Sequence, residues 1–224
     1  MAITARSGNV SARVEARRPS WADMERHYPG SQVKTPELYD QMIGGRFKGL
    51  YLTPGYQNTC AVRMSYGLNR SGLKLGNAPS QGGSIAGPDG YQYWIRVSDL
   101  KEYLSKQFKG ADEELRLSPI PALLIGDNET LSNRFKERVK TAKAWLDGRL
   151  TGRSGVVAFE VTGWGDASGH FTLWNGTAKT LAYADSHDDP HTNTYYFWLT
   201  NLVERADGTS ALVQVVSVKF WELK

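Results

Sequence analysis

Apolar and polar positions change rhythm about two thirds of the way along this 224-residue chain. In the first part the apolar residues recur at intervals of three and four, the spacing of a helix with one buried face. In "NTCAVRMSYGLN", Ala61, Met64, Ser65 and Leu68 fall at i, i+3, i+4 and i+7. Asn58 and Thr59 are suitable caps, and Gly72 lies past the end. Ser98 heads "DLKEYLSKQF", whose Leu100, Tyr103, Leu104 and Phe108 share a face, and residues 130–147 carry the longest helical pattern, with Leu131, Phe135, Val139, Ala142 and Leu146 turned inward. Two shorter helices fit "PSWADMERHYPG", capped by Ser20, and "PELYDQMIGG", closed by Gly44-Gly45, while "RFKGLYLTPG" reads as strand or loop. Beyond residue 150 the pattern is of short apolar or alternating blocks: "GVVAFEV", "GHFTLWNG", "TLAYADS", "TYYFWLT" and "ALVQVVSVKFWEL", joined earlier in the chain by "YQYWIRV". Helices first and consecutive strands last predict an α+β fold, helices packed on a mostly antiparallel sheet. The Arg-rich, polar residues 1–19 are expected as a flexible arm ahead of a single domain over 20–224.

Composition narrows this little. Hydrophobic residues make up 40% of the chain, with seven Trp, eleven Tyr and seven Phe, enough for a sizeable core. The net charge of +4 favours an anionic surface or substrate and falls well short of a nucleic-acid signature. No stretch approaches the roughly 18–20 apolar residues of a membrane span. The N-terminus lacks the apolar segment of a secretory signal, so the expectation is synthesis in the cytoplasm and, for any external role, a dedicated exporter.

Candidate chemistry starts at Cys60, the one cysteine, which excludes an intrachain disulfide. In the first turn of a helix, exposed amides and the positive dipole end favour a thiolate and lower its pKa. The Cys60 N–H can also face an oxyanion, with the Gln57 side chain as a second donor. A thiol nucleophile needs a base. Of His27, His170, His187 and His191, the first reads as a surface residue at a helix end, and the last two lie in the polar loop "SHDDPHTN". His170 opens an apolar strand behind small residues that permit close approach. Cysteine on a helix and histidine on a strand 110 residues later is the papain-like order. For a third group, "TLAYADS" is the natural hairpin partner of "GHFTLWNG", which favours Asp185 over Asp188, Asp189 and Asn175, with Asp166 left as a turn residue. "HDDPH" could suggest a metal, but it reads as a solvated turn, so no metal and no cofactor is expected. The glycines of "QGGSIAGPDG" do not follow a strand and open a helix as a phosphate loop would, and read as a flexible lip over a cleft.

The stretches "NTCAVRMSYGLNRSG", "GPDGYQYWIRVSDLKEYL" and "GWGDASGHFTLWNG" resemble the type VI secretion amidase effectors of the fourth family, antibacterial toxins on the NlpC-type papain-like fold. The resemblance runs from about Trp21 to the last strands. It implies hydrolysis of the bond between D-glutamate and meso-diaminopimelate in cell-wall peptide stems, with Cys60 as nucleophile, His170 as base and a downstream Asp orienting the base. It also implies injection by the secretion apparatus, action in the target cell's periplasm, and a cognate immunity protein. Gln57, Tyr56 and Arg63 are the expected oxyanion and substrate contacts, and Arg70 is a further candidate for reading substrate carboxylates. Two alternatives are another cysteine acyl-transfer enzyme of this fold (a lipid acyltransferase or protein deamidase) and a non-catalytic wall-binding module. Circularly permuted lipid-directed relatives place histidine before cysteine, the opposite order. A thiol inert to mild alkylation would favour the wall-binding module.

Overall fold

The computed structural model describes the chain except at positions 1, 8–9, 16–17, 166 and 206–207, and over 2–15 it describes the backbone alone. In chain order the elements are β1 (Ala2–Ser7), β2 (Val10–Glu15), α1 (Trp21–His27), α2 (Cys60–Arg70), β3 (Ser84–Ala86), β4 (Gln92–Trp94), α3 (Val97–Gln107), β5 (Glu113–Arg116) and α4 (Asn128–Trp145). Five strands follow: β6 (Gly155–Thr162), β7 (Gly169–Asn175), β8 (Thr180–Leu181), β9 (Thr200–Glu204) and β10 (Ser210–Glu222). The central sheet runs β5-β10-β6-β7-β8, with β9 paired to the first half of β10, and every pairing in it is antiparallel. This is the α+β architecture that the change of rhythm predicts.

Both faces of the sheet are covered, which is why its central strands are apolar at nearly every position. On one face Val157, Phe159 and Val161 of β6 join Trp174, Val218 and Phe220 beneath α4. On the other, Val156 and Ala158 join Phe171, Leu173 and Trp221 beneath α1, α2 and α3, in the cluster that contains Cys60. A satellite cluster of Leu38, Tyr39, Ile43, Phe47, Val62 and Tyr93 packs the far side of α2. Gly169 has a specific role at the start of β7. A Cβ there would lie 2.2 Å from the Phe159 carbonyl oxygen, so only glycine lets the strand close onto β6 one residue before His170.

Three segments depart from the pattern. "TYYFWLT" is not a strand: Tyr195 to Leu199 are all buried and pass through turns, with the Trp198 N–H donating to the Tyr195 carbonyl at 3.0 Å. A strand would send alternate residues to opposite faces. Here the consecutive rings pack into the α4-side core, Tyr196 on Phe159 at 4.9 Å and Phe197 edge-on to Trp174 at 5.2 Å. β8 is two residues long where seven were expected. The sheet also gains β5, "EELR", a charged edge strand with no apolar alternation to announce it. "RFKGLYLTPG" resolves into two tight turns, Gly45–Phe47 and Leu50–Leu52.

Within the segment expected as an arm, β1 and β2 pair as a hairpin, and positions 1, 8–9 and 16–17 lie outside the described residues. Arg18 pairs with Asp112, lies 5.1 Å from the centre of the Phe108 ring and donates to the carbonyls of Phe108 and Glu222. With the Trp21 N–H bonded to the Lys224 carbonyl at 3.1 Å, this brings the start of α1 against the chain's last residues.

Candidate active site

Cys60 is the first residue of α2, where the capping pattern places it, and is 1% exposed. Thr59 is the cap residue but makes no side-chain cap bond, and the Asn58 Oδ1 accepts from the Cys60 N–H at a long 3.5 Å. The backbone N–H groups of Phe171, Ala61 and Cys60 itself are directed at the sulfur and favour its anion. Burial outweighs them and pushes the thiol up to about 11. The expectation of a dipole-lowered pKa is therefore corrected: the first-turn amides are present, but the side chain is buried.

His170, on β7 beside Phe171, is 2% exposed and is pushed down to about 4, first by burial. Its Nε2 lies 2.8 Å from the Tyr183 carbonyl oxygen. A carbonyl can only accept, so Nε2 carries the proton and Nδ1 keeps the lone pair. The ring is clamped between Tyr196, stacked at 4.4 Å, and Tyr183 at 5.6 Å. The resting site thus holds a protonated thiol and a neutral imidazole oriented for use as a base.

Asp185 is not the group bonded to that imidazole. Leu181 faces Trp174 across the β7–β8 pair, so a continuous ladder would bring Asp185 level with His170, four residues on along each strand. The ladder stops early. The Tyr183 N–H donates to the Thr172 hydroxyl at 2.9 Å, and the chain then turns through Asp185 at φ 49°. Asp185 is exposed, yet its charge still raises the Cys60 thiol and opposes the fall at His170. Asn175 bonds instead to Glu25 and the following turn, and Asp189 to the His191 N–H. Asp166 lies outside the described residues.

Arg63 requires a correction. It is 1% exposed, and its guanidinium donates to the Thr59 hydroxyl and to the carbonyls of Pro29, Gly30 and Val33, all at 2.8–2.9 Å. It also lies 4.0 Å from the centre of the Tyr183 ring. With its donors so engaged beneath the surface it cannot reach a substrate carboxylate, and it serves instead to tie the start of α2 to Tyr183. Thr59 completes the tie by donating to the Tyr183 hydroxyl at 3.2 Å. Arg70 is held by Asp89 at 2.7 Å. Gln57 is exposed, and Tyr56 is half-buried with its carbonyl accepting from the Tyr39 hydroxyl. Their neighbours Gly55 and Asn58 form the wall of a cleft of about 250 Å³ over Cys60. The cleft is also lined by residues 95–98 and by Ala167 and Ser168, the latter two residues before His170. The "QGGSIAGPDG" segment forms β3 and its turn instead of a lip over this cleft.

Of the other histidines, His187 bonds the Thr194 carbonyl through Nδ1 and packs on Tyr196 at 4.8 Å. His27, read as a surface residue, is half-buried, with Nδ1 buried and unpartnered among the described residues. Among the described residues no group of three His, Cys, Asp or Glu could hold a metal. None of the described helices is long and apolar enough to cross a membrane. Sequence reasoning missed Tyr183 and Tyr196, which hold the imidazole, because aromatic residues in apolar runs carry no mark that separates a clamp from core.

A family model for type VI secretion system amidase effector protein 4 matches residues 56–198, which take in Cys60 and His170. The chain belongs to that family. It is an amidase effector of type VI secretion. Solved structures agree in fold, and this is the papain-like NlpC-type fold. The effector of the Tae4–Tai4 effector–immunity complex from Enterobacter cloacae is 23% identical with a TM-score of 0.58, covering 92% of this chain and 99% of that one. That of the Tae4–Tai4 system from Salmonella typhimurium gives 23% and 0.59 over the same shares, and the Enterobacter cloacae effector Tae4 alone gives 22% and 0.57, over 92% and 98%. No curated protein matches the chain in sequence.

Proposed function

We propose that this amidase effector hydrolyses the γ-D-glutamyl–meso-diaminopimelate bond of cell-wall peptide stems through Cys60 and His170, within a single domain over residues 20–224. The observation that carries the reading is the arrangement at β7. His170 donates from Nε2 to a main-chain carbonyl and so keeps Nδ1 basic, while the next residue on the strand directs its N–H at the Cys60 sulfur. Nδ1 takes the thiol proton as the sulfur attacks the γ-glutamyl carbonyl, so that charge forms only when substrate has displaced water. The oxyanion is stabilised by the Cys60 N–H, whose bond to Asn58 is a long 3.5 Å at rest. The carbon–nitrogen bond then breaks, His170 returns its proton to the diaminopimelate amine, and the same imidazole deprotonates the water that releases the glutamyl group from sulfur. Asp185, as a charge near the pair, favours the imidazolium that forms in passing.

The effector would be injected by the secretion apparatus and act in the periplasm of the target cell. The solved relatives from Enterobacter cloacae and Salmonella typhimurium are complexes with the immunity protein Tai4, and a cognate immunity protein covering the cleft is proposed here as well. Digestion of diaminopimelate-type cell wall, read by mass spectrometry of the new termini, tests the reaction. Wild type is expected to release a stem ending in D-glutamate. Cys60→Ala and His170→Ala should each lower turnover by roughly three orders of magnitude or more while remaining folded. Wild-type turnover in either variant would remove that residue from the mechanism.

A further inference from the structure

We infer that Arg96 is the residue that recognises a substrate carboxylate beside the scissile bond, an assignment that rests on the function proposed above. Among the described residues lining the Cys60 cleft, Arg96 is the one charged side chain. It is exposed, and among the described residues its guanidinium has no hydrogen-bond or ion-pair partner. The nearest acid along its own helix is engaged elsewhere: Asp99 is buried and accepts from the Ser80 hydroxyl. The two arginines that sequence position favoured are both occupied, Arg63 by main-chain carbonyls and Arg70 by Asp89. An unpaired guanidinium in a small cleft otherwise lined by apolar and neutral side chains is complementary to a carboxylate, which it can bind through two parallel N–H···O bonds.

The proposed substrate offers one candidate carboxylate on each side of the reacting carbonyl. One is the α-carboxylate of D-glutamate, on the side that acylates Cys60. The other is the distal carboxylate of diaminopimelate, on the leaving side. Arg96 lines the cleft together with Gly55, Asn58 and Cys60. Its role is specificity: it binds a group that does not react, and the binding positions the amide over the thiol.

The test uses three synthetic stems: one with both carboxylates free, one with the D-glutamate α-carboxylate as carboxamide, and one with the distal diaminopimelate carboxylate as carboxamide. Arg96→Ala is expected to lower kcat/KM on the free stem by about 10- to 100-fold, the loss of a charge-assisted bidentate contact, mostly through KM. Wild type should lose a similar factor on one amidated stem, which identifies the carboxylate read, and Arg96→Ala should no longer distinguish that stem from the free one. Arg96→Lys should recover part of the loss, keeping the charge without the fork. Unchanged kcat/KM in Arg96→Ala, or undiminished discrimination against both amidated stems, overturns the inference while leaving the reaction intact. A folded wild type that cuts none of the three stems overturns the proposed function and this inference with it.

Discussion

Two arginines are buried on opposite faces of the same sheet, and they are held in nearly the same way. Arg63, on the α2 side, donates to a threonine hydroxyl and three carbonyls. Arg138, on the α4 side and 5% exposed, donates to the Thr200 hydroxyl and to the carbonyls of Ser118 and Val215. Among the described residues neither has a carboxylate partner, and burial pushes Arg138 down to about 10. Each uses a guanidinium as a multi-pronged staple across segments distant in sequence, where main-chain oxygens would otherwise lack donors. What differs is the tissue being joined. Arg138 ties α4 to a loop and two strands of the scaffold. Arg63 ties the first turn of the helix that carries Cys60 to Tyr183, whose carbonyl bonds the His170 imidazole. The same physical device joins scaffold elements on one face and the elements of the candidate site on the other.

Replacing each arginine by methionine tests that distinction most severely. Both variants should lose about 3 kcal/mol of stability, since several buried oxygens lose charge-assisted donors. The folded fraction of Arg138→Met should turn over as wild type does, whereas that of Arg63→Met should fall by roughly 100-fold, because a misplacement near an ångström is enough for such a loss. Urea unfolding and active-fraction-corrected kinetics separate the two quantities. Equal kinetic losses would erase the difference between the faces.

Acid probes the candidate site in a second way, because His170 is a buried titrating group. His170 falls from 6.5 unfolded to about 4 folded, chiefly by burial, with the Arg63 charge a lesser cause. Between those values the unfolded chain binds the extra proton, so stability rises with pH. The contribution is complete above about pH 6.5 and is lost as pH falls toward 4, amounting to about 3 kcal/mol. Unfolding midpoints at pH 7, 5.5 and 4 should show this loss in wild type and less of it in His170→Asn. A profile that is the same in both proteins would place the acid sensitivity elsewhere.

The smallest effect belongs to Tyr183→Phe. It keeps the ring beneath Arg63 and the carbonyl that holds His170, and removes only the hydroxyl that accepts from Thr59. About 1 kcal/mol of stability and a few-fold in kcat are expected. A loss as large as that of Arg63→Met would mean that the hydroxyl, and not the cation, carries the link.

The elements that position the candidate site were legible where one physical signal dominated. Helix α2 was marked by its caps and four-residue spacing, and β6, β7 and β10 by apolar runs long enough to require cover on both faces. Cys60 and His170 were found because thiols and imidazoles are few and chemically distinct. Signals that depend on a partner distant in sequence were not legible. Nothing in "YGLNR" or "CAVRMS" tells a buried arginine from a solvated one, since the carbonyls that receive Arg63 come from Pro29 to Val33. The short reach of β8 depends on the Thr172 hydroxyl taking the amide of Tyr183, a side chain substituting for a ladder bond. The run Tyr195 to Leu199 looked like a strand because β propensity reports fit to a half-buried surface, and these rings are buried without alternation.

A thiol pushed up to about 11 keeps its proton at neutral pH, and only the thiolate reacts well with electrophiles. Peroxide and alkylating reagents should therefore consume Cys60 slowly, although it is the proposed nucleophile. The resting thiol is then expected to stay protonated and reduced until a substrate occupies the cleft. This also removes the force of one simple assay. A sluggish thiol does not speak for an inert wall-binding module, because the enzyme itself would give the same result; only turnover tells the two apart.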